Sequence, residues 1–264
     1  MKIKYYIKKA FQNFNKVELR ILPGNIAFFF VLALIPIVSM LVMLASYFSV
    51  SMDMIANFIN DLLPSEASDL VINIMFEKGL DSSIGLFNLI AIFVASNGTY
   101  AIITASNTLY KVNNSDHLKD RIRSLILLLI LLLLLLFLII GPMFGGKLLS
   151  LFDNNDLVNN IRTIFNIVKW PTTIFLIYVN LKMIYTIAPS IKINSKSTTT
   201  GAWFTTIIWT ILTAIFSYYL KYFANYSAIY GSLSNLIILM IWLYAISYVF
   251  VLGLAINVTN IDEK

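Results

Sequence analysis

The sequence predicts an all-α integral membrane protein with six transmembrane helices. Of the 264 residues, 59% are hydrophobic and only 12% are charged, whereas a soluble domain carries roughly twice that share of charge. Apolar runs of about 20 residues recur, which is the length needed to cross the hydrocarbon core of a bilayer. Residues 125–140 are almost unbroken Leu and Ile with no polar face. Together these observations exclude a soluble globular fold.

The predicted spans are separated by short polar segments and are, in chain order, residues 25–48, 84–109, 124–144, 164–188, 201–223 and 233–257. Before them, residues 1–24 have basic and apolar positions at helical spacing, which predicts an amphipathic helix lying on an anionic membrane surface. Between the first two spans, an acidic outer loop is predicted to form two short amphipathic helices split at Pro64-Ser65. Residues 258–264 form a cytoplasmic tail. The Leu-rich third span is expected to lie at the periphery and to face lipid.

The distribution of Lys and Arg predicts the orientation. In the six-span arrangement, 14 of the 19 Lys and Arg residues fall on the side that holds both termini, and such residues collect on the cytoplasmic side. We therefore expect a multi-pass protein of the cytoplasmic (inner) membrane with both termini in the cytoplasm. The net charge of +6 follows from this topology. The expected partners are membrane lipids and not nucleic acid, and a homo-oligomer is left open.

The last third of the chain predicts an antiparallel helical hairpin from Gly201 to Asn257. Its two apolar segments carry hydroxyl side chains, whose hydrogen-bond partners lipid does not supply. We therefore place this hairpin inside the bundle. At the turn, Gly231 is expected to adopt a positive φ or to allow close helix approach, and Ser232 or Ser234 to cap the amides that open the sixth span.

Neutral polar side chains in the spans form the candidate site. The second span is unusually polar, and its residues line a polar path or serve helix packing; the sequence leaves both interpretations open. The same two interpretations apply to polar residues of the hairpin and its turn. The full set is Asn88, Asn97, Thr99, Asn107, Thr206, Thr210, Tyr219, Tyr230, Gly231, Ser232, Tyr244 and Asn257.

Catalysis is not expected from this sequence. The chain has no Cys and one His, and His117 lies in the predicted loop 110–123, where a solvated role is expected. No Asp or Glu falls at the centre of a predicted span, and the acidic residues of the cytoplasmic side are scattered over three segments. Phosphodiester cleavage needs clustered carboxylates or a His acid–base pair. We therefore predict no catalytic residue, no metal site and no cofactor, and reject a ribonuclease.

Several short motifs resemble the YihY/BrkB family of polytopic bacterial membrane proteins, which has often been labelled ribonuclease BN. The resemblance covers nearly the whole chain, and its landmarks are Ala33-Leu34-Ile35-Pro36, Ser106-Asn107-Thr108-Leu109-Tyr110, Pro189, Gly201-Ala202, Tyr230-Gly231-Ser232-Leu233, Trp242-Leu243-Tyr244 and Leu252-Gly253 with Asn257. It implies a six-helix inner-membrane fold, with links to serum resistance and envelope lipid export for some relatives. Family members often carry Glu where this chain has Ala255.

Two functions fit these expectations. The first is a transporter or flippase of a lipid or other envelope amphiphile. The second is a non-transporting membrane scaffold or envelope-integrity factor, in which the polar side chains serve packing alone. A continuous cavity between the second, fifth and sixth spans is the feature that would favour transport.

Overall fold

The computed structural model describes residues 17–47, 51–62, 64–77, 85–113, 116–150, 156–222, 226 and 230–261. Within these ranges the chain is all-helical, as predicted, and contains no strand. The elements are α1 (Val17–Tyr47), α2 (Met52–Leu62), α3 (Ser65–Glu77), α4 (Gly85–Leu109), α5 (His117–Ser150), α6 (Asp156–Ile187), α7 (Thr199–Tyr222), a 3₁₀ turn (Gly231–Leu233) and α8 (Ser234–Ile261).

Three helical segments of the described chain are long and apolar enough to cross a membrane. They are Val17–Leu34 in α1, Thr199–Tyr222 in α7 and Ser234–Thr259 in α8. A shorter apolar segment, Pro171–Ile187, lies in α6. The apolar helices agree with a membrane protein, and the count of six spans stays a prediction.

Two helices differ from the sequence prediction at their starts. Helix α1 begins at Val17 and continues through Pro23, so the described end of the predicted amphipathic helix and the predicted span from residue 25 form one helix. Helix α5 begins at His117, so the predicted loop 110–123 was wrong over its second half. The cause is a helix cap at Asp116, whose Oδ1 accepts from the backbone amides of Leu118 at 3.1 Å and Lys119 at 3.4 Å. The predicted amphipathic helix lies mostly outside the described residues.

The two predicted helices of the 49–83 loop are confirmed as α2 and α3, which meet at Pro64-Ser65. Their apolar faces point into the protein, with Ile55 and Val71 only 1% and 4% exposed. Helix α3 packs on α1 and α8, and α2 packs on α3 and α5. We call this pair of helices the cap.

The six long helices pack in a ring. The neighbours are α1 with α4, α4 with α5, α5 with α6, α6 with α7, α7 with α8, and α8 with α1. Away from the cap, the ends of α4, α6 and α8 meet the starts of α1, α5 and α7; we call this end the base. The largest part of the core lies there and includes Leu19, Ile103, Leu127, Tyr185 and Leu254.

Helix α5, which was expected to lie at the periphery and to face lipid, is exposed on one side and buried on the other. Four of its leucines are buried, with exposures of 1% to 4%, and belong to the cores shared with neighbouring helices: Leu127, Leu128, Leu132 and Leu136. Leu129 and Leu133 are 54% and 53% exposed on the opposite side. A run of Leu and Ile has no polar position to mark the outer face, so the sequence did not reveal the buried one.

The two faces of α5 should respond differently to truncation. We expect Leu132→Ala to lower the free energy of unfolding by about 2 kcal/mol or more, because it leaves a cavity in the core. The matched change Leu133→Ala, on the exposed face, should cost roughly 0.5 kcal/mol or less, as surface changes do. Thermal unfolding of the detergent-solubilised proteins measures both. Equal losses would contradict the two-sided packing of α5.

The turn before α8 contains Gly231 with φ of +56°, as the sequence predicted. The predicted cap by Ser234 is wrong, because its Oγ donates to the Gly231 carbonyl oxygen at 2.8 Å instead of accepting from an amide. The Ser232 side chain lies outside the described residues. Tyr230 is 45% exposed and its ring stacks on Tyr226 with centroids 6.1 Å apart. Gly231 is thus needed for its backbone conformation.

Substitutions at Gly231 should follow backbone preference and not size. A Cβ added there meets no atom within 4 Å, so the cost comes from the left-handed conformation, about 1–2 kcal/mol for Gly231→Val. Gly231→Asn should cost less, because Asn tolerates this region. Tyr230→Phe, the neighbouring control, should leave stability unchanged. Thermal unfolding in detergent ranks the stability of these variants. A Gly231→Val protein as stable as Gly231→Asn would contradict the left-handed conformation assigned to Gly231.

Candidate functional site

A cavity of about 630 Å³ lies at the centre of the helix ring. Helices α1, α5, α6, α7 and α8 form its walls, and both cap helices contribute to it. Most of the lining is apolar: Phe30, Leu34, Ile37, Val38, Ile55, Ile59, Val71, Leu131, Leu135, Ile174, Ile177, Leu181, Ile184, Ala214, Leu239, Leu243 and Ile246, with Trp209 and Trp242. No described residue of α4 lines this cavity, so it is not the cavity between the second, fifth and sixth spans that was expected to favour transport.

The polar side chains that line the cavity are all uncharged. They come from α2, α6 and α7 and are Asn60, Thr173, Asn180, Thr210, Thr213 and Ser217. Thr210 and Ser217 are seven positions apart on α7, as are Thr173 and Asn180 on α6, and seven residues make about two helical turns. Each pair therefore shares one face of its helix. The cavity thus has neutral polar groups on two adjacent helices.

Most hydrogen-bonding groups around the cavity have partners within the protein. The Thr210 hydroxyl donates to the Thr206 carbonyl oxygen at 2.9 Å. Trp242 Nε1 donates to Thr213 Oγ1 at 3.4 Å, and Trp209 Nε1 donates to the Ile246 carbonyl oxygen at 2.8 Å. Among the described residues, Asn180 Oδ1 is buried and has no hydrogen-bond partner. The Asn180 amide is therefore an incompletely satisfied group on this wall.

At the base, α7 and α8 cross at two glycines. The backbone N–H of Gly201 donates to Asn257 Oδ1 at 2.8 Å. A Cβ on Gly201 would overlap the carbonyl oxygen of Gly253, and a Cβ on Gly253 would overlap Thr205 Oγ1. Small residues allow membrane helices to approach this closely. We call this contact the base crossing.

Tyr185 of α6 ties a third helix to the base crossing. Its hydroxyl donates to the Phe250 carbonyl oxygen at 2.8 Å and lies 2.7 Å from Thr205 Oγ1. Its ring stacks on that of Phe250, with centroids 4.8 Å apart, and is fully buried. The base end of α6, α7 and α8 is therefore closed by packed backbone and buried hydrogen bonds.

A second cluster at the base joins α4, α5 and the segment after α6; we call Asn107, Asp120, Arg123 and Ser190 the base network. Asp120 is 3% exposed. One of its carboxylate oxygens accepts from Arg123 Nη1 at 3.1 Å and from the Ser190 hydroxyl, and the other accepts from Asn107 Nδ2 at 3.1 Å.

Ser190 and Asn107 complete the base network. The backbone N–H of Ser190 donates to Asn107 Oδ1 at 2.8 Å, and Arg123 Nη1 also donates to Ser190 Oγ at 2.6 Å. This cluster was not predicted from the sequence, because Asp120 falls in the predicted loop 110–123. The available signal was Asp116, which as a helix cap puts Asp120 and Arg123 on one face of α5.

The polar residues of α4 contact α5 and the base. Asn97 Oδ1 accepts from Arg121 Nη1 at 2.8 Å, and the Thr99 hydroxyl donates to the Ser124 carbonyl oxygen at 2.7 Å. The Arg121 guanidinium also lies 3.8 Å from the centre of the Phe93 ring. These contacts link α4 to α5 along the side of the ring, away from the cavity.

The remaining predicted site residues lie in several places. Thr206 donates to the Ala202 carbonyl oxygen of its own helix at 2.8 Å. Tyr219 and Tyr244 are 41% and 45% exposed and do not line the cavity. The Asn88 side chain lies outside the described residues. Of the predicted set, as far as the structure describes it, Thr210 lines the cavity.

Two ionisable groups at the base have shifted pKa values. Burial raises the pKa of Tyr110 to about 12, so this phenol stays neutral at physiological pH. Hydrogen bonds from the side chain and backbone of Lys119 hold the pKa of the exposed Asp116 below its usual range. In the part of the chain that the structure describes, no three His, Asp or Glu side chains are grouped as metal ligands.

Comparison with known proteins gives two matches that cover almost the whole chain. The family model described as "Virulence factor BrkB" matches residues 10–263. A Bacillus subtilis (strain 168) protein named "Putative ribonuclease-like protein YfkH" is 31% identical over 260 residues, which cover 96% of this chain and 94% of YfkH. No solved structure matches the chain significantly.

Proposed function

Because the chain belongs to the BrkB family of membrane proteins, we propose that it transports a lipid or another envelope amphiphile across the cytoplasmic membrane. The observation that carries this proposal is the 630 Å³ cavity inside the ring of long helices. Small-molecule sites have volumes of roughly 300–1,000 Å³ and mostly apolar linings with a few polar groups. Such a lining suits a molecule with a large apolar part.

The base and the cap lie at opposite ends of the cavity, so they would correspond to the two ends of a transport route. The base crossing packs α7 against α8 through backbone contacts, while the cap contributes Ile55, Asn60 and Val71 to the lining. We propose that the base faces the cytoplasm and the cap faces outward. The excess of Lys and Arg in the segments assigned to the base supports this orientation.

Reporter fusions test the six-span topology directly. Fusions after Phe76 and after Asp156 should report an external location, and a fusion after Lys196 should report the cytoplasm. Fusions at both termini should also be cytoplasmic. A cytoplasmic Phe76 would contradict the proposed orientation.

Transport is tested in liposomes that contain the purified protein and fluorescent lipids with charged and uncharged headgroups (phosphatidylglycerol, phosphatidylethanolamine and glucosyl diacylglycerol). Dithionite added outside the liposomes destroys the label on lipids of the outer leaflet. The rate at which the remaining fluorescence is lost then measures how fast labelled lipids cross the bilayer. Ala214→Phe should slow protein-dependent translocation about ten-fold or more, because Ala214 lines the cavity and a phenyl ring would obstruct it. Ile211→Phe is the matched control on α7, since Ile211 is 49% exposed and outside the lining.

A non-transporting scaffold is the second proposed function, and the contacts of α4 favour it. Asn97, Thr99 and Asn107 all bond to protein groups, as polar residues that serve packing do. This alternative predicts no protein-dependent translocation of any lipid in the panel. Loss of envelope integrity in cells carrying Asp120→Asn, but not in cells carrying Ala214→Phe, would support it.

The name of YfkH suggests a ribonuclease, but the arrangement of acidic groups at the base of this chain does not favour that activity. Asp120 bonds to Arg123 and Ser190 and is buried, and Asp116 pairs with Lys119 at 3.3 Å. A carboxylate held by cations within the protein is a poor general base for an RNA hydroxyl. We therefore propose that this chain is not an enzyme.

A further inference from the structure

The cavity lining has a chemical character more specific than a general lipid site. Among the described residues it contains hydroxyl and amide groups and two indoles, but no Lys, Arg, His, Asp or Glu. A charged group at membrane depth needs an opposite charge or water to be stable. The lining supplies no such charge. An anionic phosphate would therefore lose hydration in this cavity without gaining a cationic partner.

Asn180 marks the position where a polar group would bind. Its side chain lines the cavity, and its amide oxygen has no hydrogen-bond partner among the described residues. A primary amide offers two donors and one acceptor, and a polar group left unpaired in an apolar interior is costly. A ligand hydroxyl, which both donates and accepts, would satisfy this amide without introducing charge once the side chain turns its buried oxygen toward the cavity.

Two threonines on α7 complement Asn180. The Thr210 hydroxyl donates to its own helix, so its oxygen keeps lone pairs that accept from a ligand. Thr213 accepts weakly from Trp242 at 3.4 Å, and its own hydroxyl hydrogen is free to rotate toward a ligand. Together the three side chains offer donors and acceptors in the pattern that a neutral hydroxyl needs.

We propose that the cavity binds an uncharged, hydroxyl-bearing amphiphile, whose apolar chain fills the lining and whose hydroxyl bonds to Asn180 and Thr210. This inference names the substrate class of the proposed transport and so rests on the cavity being the transport site. An anionic lipid with the same chain should bind poorly.

The test measures binding, independently of transport, through quenching of Trp209 and Trp242, which both line the cavity. The background protein carries Trp170→Phe and Trp203→Phe, so these two indoles are the remaining tryptophans of the four in the chain. The probes are 9,10-dibromostearoyl glycerol and the corresponding lysophosphatidic acid, which differ by one phosphate. Bromine quenches indole fluorescence only at short range.

The uncharged probe should quench with at least ten-fold higher affinity than the phosphate-bearing probe. Asn180→Leu should weaken binding of the uncharged probe about ten-fold and leave the weak binding of the anionic probe unchanged. Thr172→Val is the matched polar-to-apolar control on α6, because Thr172 is exposed and outside the lining. If Asn180→Leu does not fold, Ala214→Phe takes its place and should weaken binding of the uncharged probe about ten-fold, because the phenyl ring takes up part of the space that the acyl chain would occupy.

Each other outcome overturns part of the inference. Equal or stronger quenching by lysophosphatidic acid, or no quenching by either probe, would overturn the substrate class. Unchanged affinity in a folded Asn180→Leu protein would overturn the role of Asn180. Tight binding of the uncharged probe without translocation of any lipid in liposomes would instead reject the transport proposal and leave the binding site standing.

Discussion

Gly201→Ala is expected to destabilise the protein by about 3 kcal/mol or more, because α7 and α8 cross at this glycine in backbone contact. The new Cβ would overlap the Gly253 carbonyl oxygen and crowd the Asn257 side chain. Overpacking typically costs 1–3 kcal/mol when side chains yield. Here the obstacle is backbone, so α7 and α8 must separate and the hydrogen bond from the Gly201 amide to Asn257 is weakened.

Gly24→Ala is the matched control for this prediction. A Cβ on Gly24 would lie 3.9 Å from the Tyr244 ring, which is an ordinary contact, and Ala has the higher helix propensity. This change should therefore leave stability unchanged or raise it slightly. Thermal unfolding in detergent and the yield of folded protein in membranes compare the two. A Gly201→Ala protein as stable as Gly24→Ala would show that the base crossing is looser than described.

The elements of the fold that follow from local chemistry could be predicted from the sequence. The helical hairpin of α7 and α8 follows from two long apolar runs, and the cap helices follow from apolar positions at helical spacing around Pro64-Ser65. The positive φ of Gly231 follows from its place in a tight turn. The buried side of α5 could not be predicted in this way, because Leu132 and Leu133 differ only in which neighbour they meet.

The candidate site was harder to predict for a related reason. The abundance of polar residues on α4 indicated a polar path, yet Asn97 and Thr99 bond to α5. The cavity instead receives sparse polar groups from α6 and α7, such as Asn180 and Thr213. The seven-residue spacings from Thr173 to Asn180 and from Thr210 to Ser217 were visible in the sequence, but spacing does not tell which helix faces which. That depends on the order of helices in the ring.

Asp120→Asn is expected to lower the free energy of unfolding by about 3 kcal/mol. The substitution keeps the shape of the side chain but removes the charge that holds Arg123, and breaking a buried ion pair by removing one partner typically costs 3–5 kcal/mol. The Asp120 and Arg123 side chains are 5% and 28% exposed, so little solvent replaces the lost partner. An Asn amide would also present N–H donors to Ser190 or to Asn107 Nδ2, which donate in the native network.

Asp116→Asn is the control for this last prediction, because it makes the same chemical change four residues earlier, in an ion pair whose side chains are 49% and 79% exposed. Asn also serves as a helix cap, so its effect should fall within the error of the measurement. The double variant Asp120→Leu with Arg123→Met should recover part of the loss, since an apolar pair leaves no buried charge unpaired. Chemical or thermal unfolding in detergent measures the stability of these three variants. If Asp120→Asn matched Asp116→Asn in stability, the base network would not hold α4, α5 and the segment after α6 together.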